Sequence, residues 1–144
     1  MIALSVSELI KITNGKLLCG EDTGVISHIT TDSRTAGAGT LFVAISGARA
    51  DGHDYVKTTF AQGAVCALVE KKCDAAEGQA VVLVADTVAA MGAVAHHIMK
   101  RLSVPTVAIT GSVGKTTTRD MTHAVMSAKY NTLKNKNNFN NHIG

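Results

Sequence analysis

Tryptophan is absent from this sequence of 144 residues, and aromatic residues of all kinds make up only 3% of it. Proteins that hold single-stranded nucleic acid stack exposed bases on aromatic side chains, so the composition argues against such a surface. The net charge is only +3, and a late lysine cluster, Lys129, Lys134 and Lys136, is better explained by a small anionic ligand or by solvation. We therefore expect no nucleic-acid partner.

Segments that direct proteins out of the cytoplasm are also missing. Residues 1–15 lack the basic start and long apolar core of a signal peptide, and no apolar run reaches membrane-spanning length. The cysteines Cys19, Cys66 and Cys73 form no C-x-x-C pair, which is typical of reduced thiols. We expect a cytoplasmic protein without membrane insertion, and the hydrophobic fraction of 46% is ample for a folded core.

A glycine-rich segment near residue 110 is the most informative stretch that the sequence does contain. Residues 107–109 predict a strand, residues 111–114 a tight turn, and residues 115–129 a helix. In a phosphate-binding loop of this order, glycines let backbone N–H groups approach phosphate oxygens and Lys115 reaches the terminal phosphates. The next hydroxyl, that of Thr116, suits Mg²⁺. We predict nucleotide phosphate binding; the alternative is a turn that only joins a strand to a helix.

The first eighty-odd residues mix predicted strands with short helices, which is typical of a small complete α/β domain. A helix around Glu8 is capped by Ser5 or Ser7 and ends at Asn14-Gly15. A second helix is predicted at residues 55–61, and strands at residues 25–29, 41–45, 65–69 and 80–84.

The following residues predict a long helix and then the glycine-rich loop. Asp86 caps this helix, whose expected apolar face is Val88, Met91, Ala95, Ile98 and Leu102. Pro105 precedes the strand that leads into the loop, and residues 130–133 predict another strand. Because residues after Pro105 would hold one parallel strand and its helix without their neighbours, we expect uncovered apolar faces there.

Two polar loops flank the second predicted strand, at residues 32–34 and 47–53. Arg34 and Arg49 can each bind a phosphate in a fork geometry that lysine lacks, and Ser33 can donate to the same group. The alternative is that both loops contain only ordinary turn signals, Asp-Ser-Arg and Asp-Gly. The pattern leaves both interpretations open.

Residues 134–141 are strongly enriched in asparagine. Asparagine tolerates a left-handed backbone and carries both a donor and an acceptor, so repeated asparagines can line a polar site without adding charge. A flexible polar tail is the alternative, and composition does not choose between the two.

Together these blocks resemble the Mur ligase family of peptidoglycan synthesis. They occur in the family's order, cover nearly the whole chain, and are most similar to the ligases that add D-alanyl-D-alanine to UDP-N-acetylmuramoyl-tripeptide. Asn135 and Asn137 depart from the family, which often has Thr and Gly at these places. The matching residues are Thr31-Asp32-Ser33-Arg34, Gly39-Thr40-Leu41-Phe42-Val43-Ala44, the stretch from Gly47 to His53, the loop from Thr110 to Thr118, and Asn138-Phe139-Asn140-Asn141-His142-Ile143-Gly144.

The resemblance implies an α/β fold in two parts. Residues 1–85 would be a small N-terminal domain that binds the UDP-muramoyl substrate, and residues 86–144 the truncated start of a P-loop, parallel-sheet ATPase domain. Lys115 and Thr116 are implied to be catalytic, with Thr116 as the Mg²⁺ ligand. The implied contacts of the UDP-linked substrate are Ser33, Arg34, Arg49, Asp51, Gly52 and His53. The implied ATP contacts are Gly111, Ser112, Val113, Gly114, Lys115, Thr116 and Thr117, and the implied active-site loop contains Asn138, Asn140 and Asn141.

The resemblance also implies the reaction. A substrate carboxylate attacks the γ-phosphate of ATP to give an acyl phosphate, and the amine of D-alanyl-D-alanine then displaces phosphate to form the amide. We interpret the sequence as an N-terminal fragment, inactive alone, of a monomeric enzyme whose site for D-alanyl-D-alanine lies outside it. The alternatives are a Mur ligase that adds the third amino acid, folylpolyglutamate synthase, whose loop lies near its N-terminus, and a non-enzymatic nucleotide-binding module.

Overall fold

The computed structural model describes residues 3–47, 50–73, 75 and 78–135. The chain divides into two compact units, Met1–Leu102 and Ser103–Gly144. This boundary differs from the one expected after residue 85, because the helix Thr87–Leu102 packs against the helix Val6–Thr13 within the first unit. The expected division therefore falls before this helix, whereas the observed one follows it.

Short strands and three α-helices make up the described part of the first unit. None of the helices in the described ranges is long and apolar enough to cross a membrane. The strands are β1 Leu4–Ser5, β2 Lys16–Cys19, β3 Val25–Ile26, β4 His28–Thr30, β5 Thr40–Val43, β6 Cys66–Val69 and β7 Ala80–Leu83. The helices are α1 Val6–Thr13, α2 Val56–Ala61 and α3 Thr87–Leu102, and single 3₁₀ turns cover Ser33–Thr35 and Gly52–Tyr55.

Helix α1 begins with a reciprocal cap, as its sequence predicts. The Glu8 N–H donates to Ser5 Oγ at 3.1 Å, and the Ser5 N–H donates to Glu8 Oε2 at 3.0 Å. This arrangement satisfies two backbone donors that the first turn leaves without partners. Asn14 ends the helix in the left-handed region, with φ 51, so the predicted start and stop signals are both confirmed.

Within the described ranges the main sheet contains five strands, in the order β2-β7-β6-β5-β4. Strands β4 to β7 are parallel, and β2 is antiparallel to β7. Strands β1 and β3 form a separate antiparallel pair. Because parallel strands end at the same edge of a sheet, the loops that follow β4, β5, β6 and β7 come together at one edge.

Alternate residues of the central strands enter two hydrophobic clusters. Leu41 and Val43 belong to the cluster that includes residues of α1 and α3, whereas Phe42 belongs to the cluster that includes residues of α2. Burial on both faces explains the continuous apolar sequence of these strands. The predicted strands of this kind are confirmed as β5, β6 and β7, with shorter bounds.

Two strands, β1 and β2, lie outside the sequence predictions, and the strand predicted at residues 25–29 is broken into β3 and β4. Ser27, at the break, and the next residue, His28, both donate their N–H groups to the carbonyl of Gly39, at 2.9 and 3.2 Å. The chain passes at this point from the small antiparallel pair to the main sheet.

Helix α3 is confirmed, but its buried face differs from the expected one. Asp86 Oδ1 accepts a first-turn N–H at 2.8 Å, as predicted for a cap. The buried residues are Thr87, Ala90 and Val94, whereas Leu102, which was expected in the core, is 47% exposed. Apolar residues occur on several sides of this helix, so their spacing does not select one face.

The described part of the second unit contains one helix, α4 Lys115–Ser127. Residues 104–110 and 130–133 form no strand there, because a strand needs a hydrogen-bonded neighbour and the described residues of this unit supply none. Val107, Met121 and Val125 are all more than 60% exposed. The expectation of uncovered apolar faces after Pro105 is therefore confirmed, and both predicted strands are wrong for this structure.

Candidate functional site

The carboxyl edge of the main sheet collects most of the polar residues that the sequence singles out. The segment Asp32-Ser33-Arg34 follows β4, the loop with Asp51 and His53 follows β5, and further polar residues follow β6 and β7. This is the edge at which ligands bind in open parallel sheets. It is the candidate substrate site of the first unit.

Asp32 and Arg34 form a closely held pair at this edge. Asp32 Oδ1 accepts from the Arg34 N–H at 3.0 Å and from its Nε at 2.9 Å, and Asp32 Oδ2 accepts from Nη2 at 2.6 Å. Hydrogen bonds from the Arg34 side chain lower the pKa of Asp32 to about 2. The Arg34 side chain is nevertheless 86% exposed. Among the described residues no hydrogen bond engages the hydroxyl of Ser33, so both side chains can take an external partner.

His53 is buried, and both of its ring nitrogens have partners within the protein. Nδ1 lies 2.5 Å from Asp51 Oδ1, and Nε2 lies 2.9 Å from the backbone nitrogen of Glu70. An amide N–H can only donate, so Nε2 is the acceptor and Nδ1–H donates to Asp51. The ring is thereby fixed as one neutral tautomer that joins the loop after β5 to the end of β6.

Glu70 and Lys71 extend this network, and sequence reasoning missed both. Glu70 Oε1 accepts from the N–H and from the hydroxyl of Thr87, each at 2.8 Å, at the start of α3. Lys71 Nζ donates to Asp51 Oδ2 at 2.5 Å. A usable signal was present, because both residues directly follow a buried strand at the edge where polar loops gather.

Gly52 has a steric role beside His53. A Cβ atom at this position would lie 2.6 Å from the backbone nitrogen of Ile45 and 2.9 Å from its oxygen. Only glycine therefore permits this approach of the two backbone segments. Asp51, Gly52 and His53 thus have internal roles, and a direct contact between them and substrate stays a prediction. The predictions for Arg49, Asn138, Asn140 and Asn141 lie outside the described residues.

The glycine-rich loop of the second unit precedes α4. Gly111 and Gly114 have φ values of 150 and 79, which side chains with a Cβ disfavour. Among the described residues no side chain caps the first turn of α4, so its N–H groups can donate to a bound anion. Lys115 Nζ donates to the carbonyl of Gly111 at 2.5 Å and lies over the loop, while Thr116 and Thr117 are exposed at the helix start. This donor set fits a phosphate group.

Comparison with known proteins places these features in one family. Residues 25–131 match the sequence model for the catalytic domain of the Mur ligase family, which is more than half of the chain. The chain belongs to the Mur ligase family. The match includes the pair at the sheet edge and the glycine-rich loop before α4.

Individual Mur ligases are similar to most or all of the chain. A UDP-N-acetylmuramoyl-tripeptide--D-alanyl-D-alanine ligase of Escherichia coli (strain K12) is 39% identical over 144 residues, which is 100% of this chain and 31% of the relative. A crystal structure of MurF from Acinetobacter baumannii covers 99% of this chain with a TM-score of 0.91 and 33% identity, and the chain covers 32% of it. MurF ligase from Thermotoga maritima in complex with ADP covers 81% with a TM-score of 0.75 and 29% identity, and 27% of that chain is covered. The chain thus spans about a third of the length of these Mur ligases.

Acid is expected to destabilise the first unit of this Mur ligase chain. Hydrogen bonds from Lys71 and from His53 hold the pKa of Asp51 below its ordinary value, as those from Arg34 do for Asp32. The stability that these carboxylates contribute is complete above about pH 4 and is lost as the pH falls toward about pH 2.

Urea unfolding followed by circular dichroism over this range measures the loss. Asp51→Asn cannot titrate at this position, so we expect its free energy of unfolding to depend less on pH. An equal loss of stability on acidification in both proteins would contradict the assignment.

Proposed function

We propose that this chain is the N-terminal part of an ATP-dependent ligase that joins D-alanyl-D-alanine to UDP-N-acetylmuramoyl-tripeptide in the cytoplasm. The observation that carries the proposal is similarity over the whole chain, at up to 39% identity, to ligases with that name. The share of their length that the chain spans, about a third, supports the interpretation as a part of such an enzyme.

The carboxyl edge of the first unit is the proposed site for the uridine diphosphate end of the substrate. The exposed guanidinium of Arg34 and the hydroxyl of Ser33 lie next to each other in sequence on a short turn at this edge. A guanidinium offers several N–H donors in one plane, which suits phosphate oxygens. The hydrogen-bond network around His53 stabilises this edge of the sheet, because it connects the loops after β5, β6 and β7.

The loop before α4 is the proposed site for ATP. Residues Gly111 to Thr117 would hold its phosphates through backbone N–H groups, and Thr116 would provide a ligand for Mg²⁺. Bound Mg²⁺ supplies positive charge that balances the charge on the phosphate oxygens. Lys115 adds a second positive charge at the same place, and phosphoryl transfer is catalysed mainly by such positioning and charge stabilisation. The substrate carboxylate would be activated as an acyl phosphate, which the amine of D-alanyl-D-alanine then attacks.

Titration of the chain with UDP-N-acetylmuramoyl-tripeptide by calorimetry tests the proposed substrate site. We expect saturable binding that Arg34→Ala weakens by about tenfold, because a charge-assisted hydrogen bond to phosphate is lost. Arg101→Ala is the matched control, since Arg101 lies on α3 and pairs with Glu8 at 3.5 Å. Failure of the unaltered chain to bind, or equal affinities of the unaltered chain and the Arg34 variant, would contradict the assignment.

A further inference from the structure

Hydrogen bonds to neighbouring residues fix the backbone of Asp32. Its backbone N–H donates to Thr30 Oγ1 at 3.1 Å, and its carbonyl accepts from the Thr35 hydroxyl at 2.9 Å and from the Thr35 N–H at 3.0 Å. The hydroxyls of Thr30 and Thr35 lie 2.7 Å apart. The carboxylate of Asp32 therefore projects from a fixed backbone.

This carboxylate engages only one edge of the Arg34 guanidinium. The donors that it uses are Nε and Nη2. A guanidinium carries five N–H donors in one plane, so Asp32 leaves unused both hydrogens of Nη1 and the second hydrogen of Nη2. One Nη1 hydrogen and this Nη2 hydrogen form the terminal edge of the group, next to the edge that Asp32 binds. That edge is open, because the side chain is 86% exposed.

We propose that Asp32 is a positioning residue, which binds the Nε–Nη2 edge of Arg34 so that the terminal Nη1–Nη2 edge binds a phosphate oxygen of the uridine diphosphate group. The proposal rests on the proposed function of the first unit. Asp32 itself touches no substrate and acts only through Arg34. The turn is thus more than a connection between β4 and β5, since it orients a ligand-binding side chain before substrate arrives.

The physical advantage is preorganisation. A free arginine side chain loses much of its rotamer freedom when it binds an anion, and a side chain that is already held loses less. The pair is also nearly neutral as a unit, so it would select an oxyanion by the geometry of its donors more than by net charge. Loss of the hydrogen bonds between Asp32 and the Arg34 guanidinium is expected to weaken phosphate binding by about tenfold. This is within the range that ordering one long side chain can account for.

Calorimetric titration of the 144-residue chain with UDP, and separately with inorganic pyrophosphate, tests the proposal. Asp32→Asn keeps an oxygen that can accept the Arg34 backbone N–H, so the turn is retained, but it removes the carboxylate that fixes the guanidinium. We expect UDP to bind this variant about tenfold more weakly. In an Arg34→Ala background the same substitution has no further effect, because there is no guanidinium left to position.

Asp120→Asn is the matched control. Asp120 is also a partly exposed aspartate that accepts hydrogen bonds from a neighbouring arginine, Arg119, at 3.0 and 3.1 Å. It lies on α4, in the second unit. We expect its substitution to leave the UDP affinity unchanged.

The orientation of Arg34 can also be measured without ligand. In ¹⁵N NMR spectra of the unaltered chain, we expect the Nε–H of Arg34 to exchange slowly with water and to be rigid. Both properties should be lost in Asp32→Asn. A mobile, unprotected Nε–H in the unaltered chain would overturn the proposal.

The remaining outcomes separate this proposal from the proposed function. UDP affinity in Asp32→Asn within about twofold of the unaltered chain overturns the role of Asp32 and leaves the substrate site standing. An equal loss in the Arg34→Ala background also overturns it, because Asp32 would then act on the fold. If the unaltered chain binds neither UDP nor pyrophosphate, the substrate assignment and the role of Asp32 both fail.

Discussion

We expect replacement of Lys115 by alanine, in the full-length ligase proposed above, to lower turnover by about a hundredfold or more. The ammonium group of Lys115 lies over the loop before α4, 2.5 Å from the carbonyl of Gly111, and is thus already placed beside the proposed phosphate site. Removing one preorganised contact of this kind costs about 3 kcal/mol of transition-state stabilisation. Steady-state release of phosphate, measured with saturating substrates, gives the change in kcat.

Lys129→Ala is the control for this experiment. Lys129 lies just beyond α4, where its ammonium is 5.5 Å from the centre of the Tyr130 ring, and it is not one of the residues proposed to hold ATP. We expect nearly normal turnover from this variant. Nearly normal turnover from Lys115→Ala as well would show that the loop does not handle the transferred phosphate.

The second large effect is expected on stability. His53→Ala removes a buried ring and with it the hydrogen bond between the ring and Asp51. It also leaves the backbone N–H of Glu70 without its partner. Loss of a buried network of this kind costs about 2 to 4 kcal/mol. For a unit of this size the melting temperature should fall by about 10 °C or more. Thermal unfolding followed by circular dichroism measures the shift.

Two further variants make the result specific to the network. His96→Ala changes an exposed histidine on α3 and should alter the free energy of unfolding by about 0.5 kcal/mol or less. His53→Gln retains an oxygen that can accept from Glu70, so we expect a stability between those of the unaltered chain and His53→Ala. Equal stability of His53→Ala and His96→Ala would refute the structural role of the ring.

The parts of the fold that sequence predicts best are those whose burial is the same on both faces. Strand β5 is a continuous apolar run because each of its faces packs on a helix, and such a run is visible without knowledge of the fold. Strand β2 begins with Lys16 and has no such pattern, and it forms only because β7 lies beside it, more than sixty residues later. The buried face of α3 was likewise not predictable from its own sequence. Contact with α1, and not the periodicity of α3, decides that Val94 is buried and Leu102 exposed.

The candidate site likewise contains residues that the local sequence indicates and contacts that it does not. Arg34 could be singled out because a local run of polar residues contains it, and its bonds to Asp32 span only two residues. The bond between His53 and Glu70 spans 17 residues and that between Lys71 and Asp51 spans 20. These contacts exist because the parallel order of β5 and β6 brings their ends together, which no short motif encodes. The internal partners of His53 were therefore missed, although the residue itself was named.

The pairing of β2 with β7 has a consequence for how the chain acquires its structure during translation. The ribosome makes α1 and β2 well before their partners, because α3 and β7 are the last elements of the first unit. Until these partners emerge, the edge of β2 and the apolar face of α1 have nothing to cover them, and exposed surfaces of this kind favour association with other chains. The first unit can therefore complete its fold only after β7 and α3 have emerged. A nascent chain that stalls before Leu102 should depend on chaperones, whereas one that stalls shortly after this residue has emerged should already be folded.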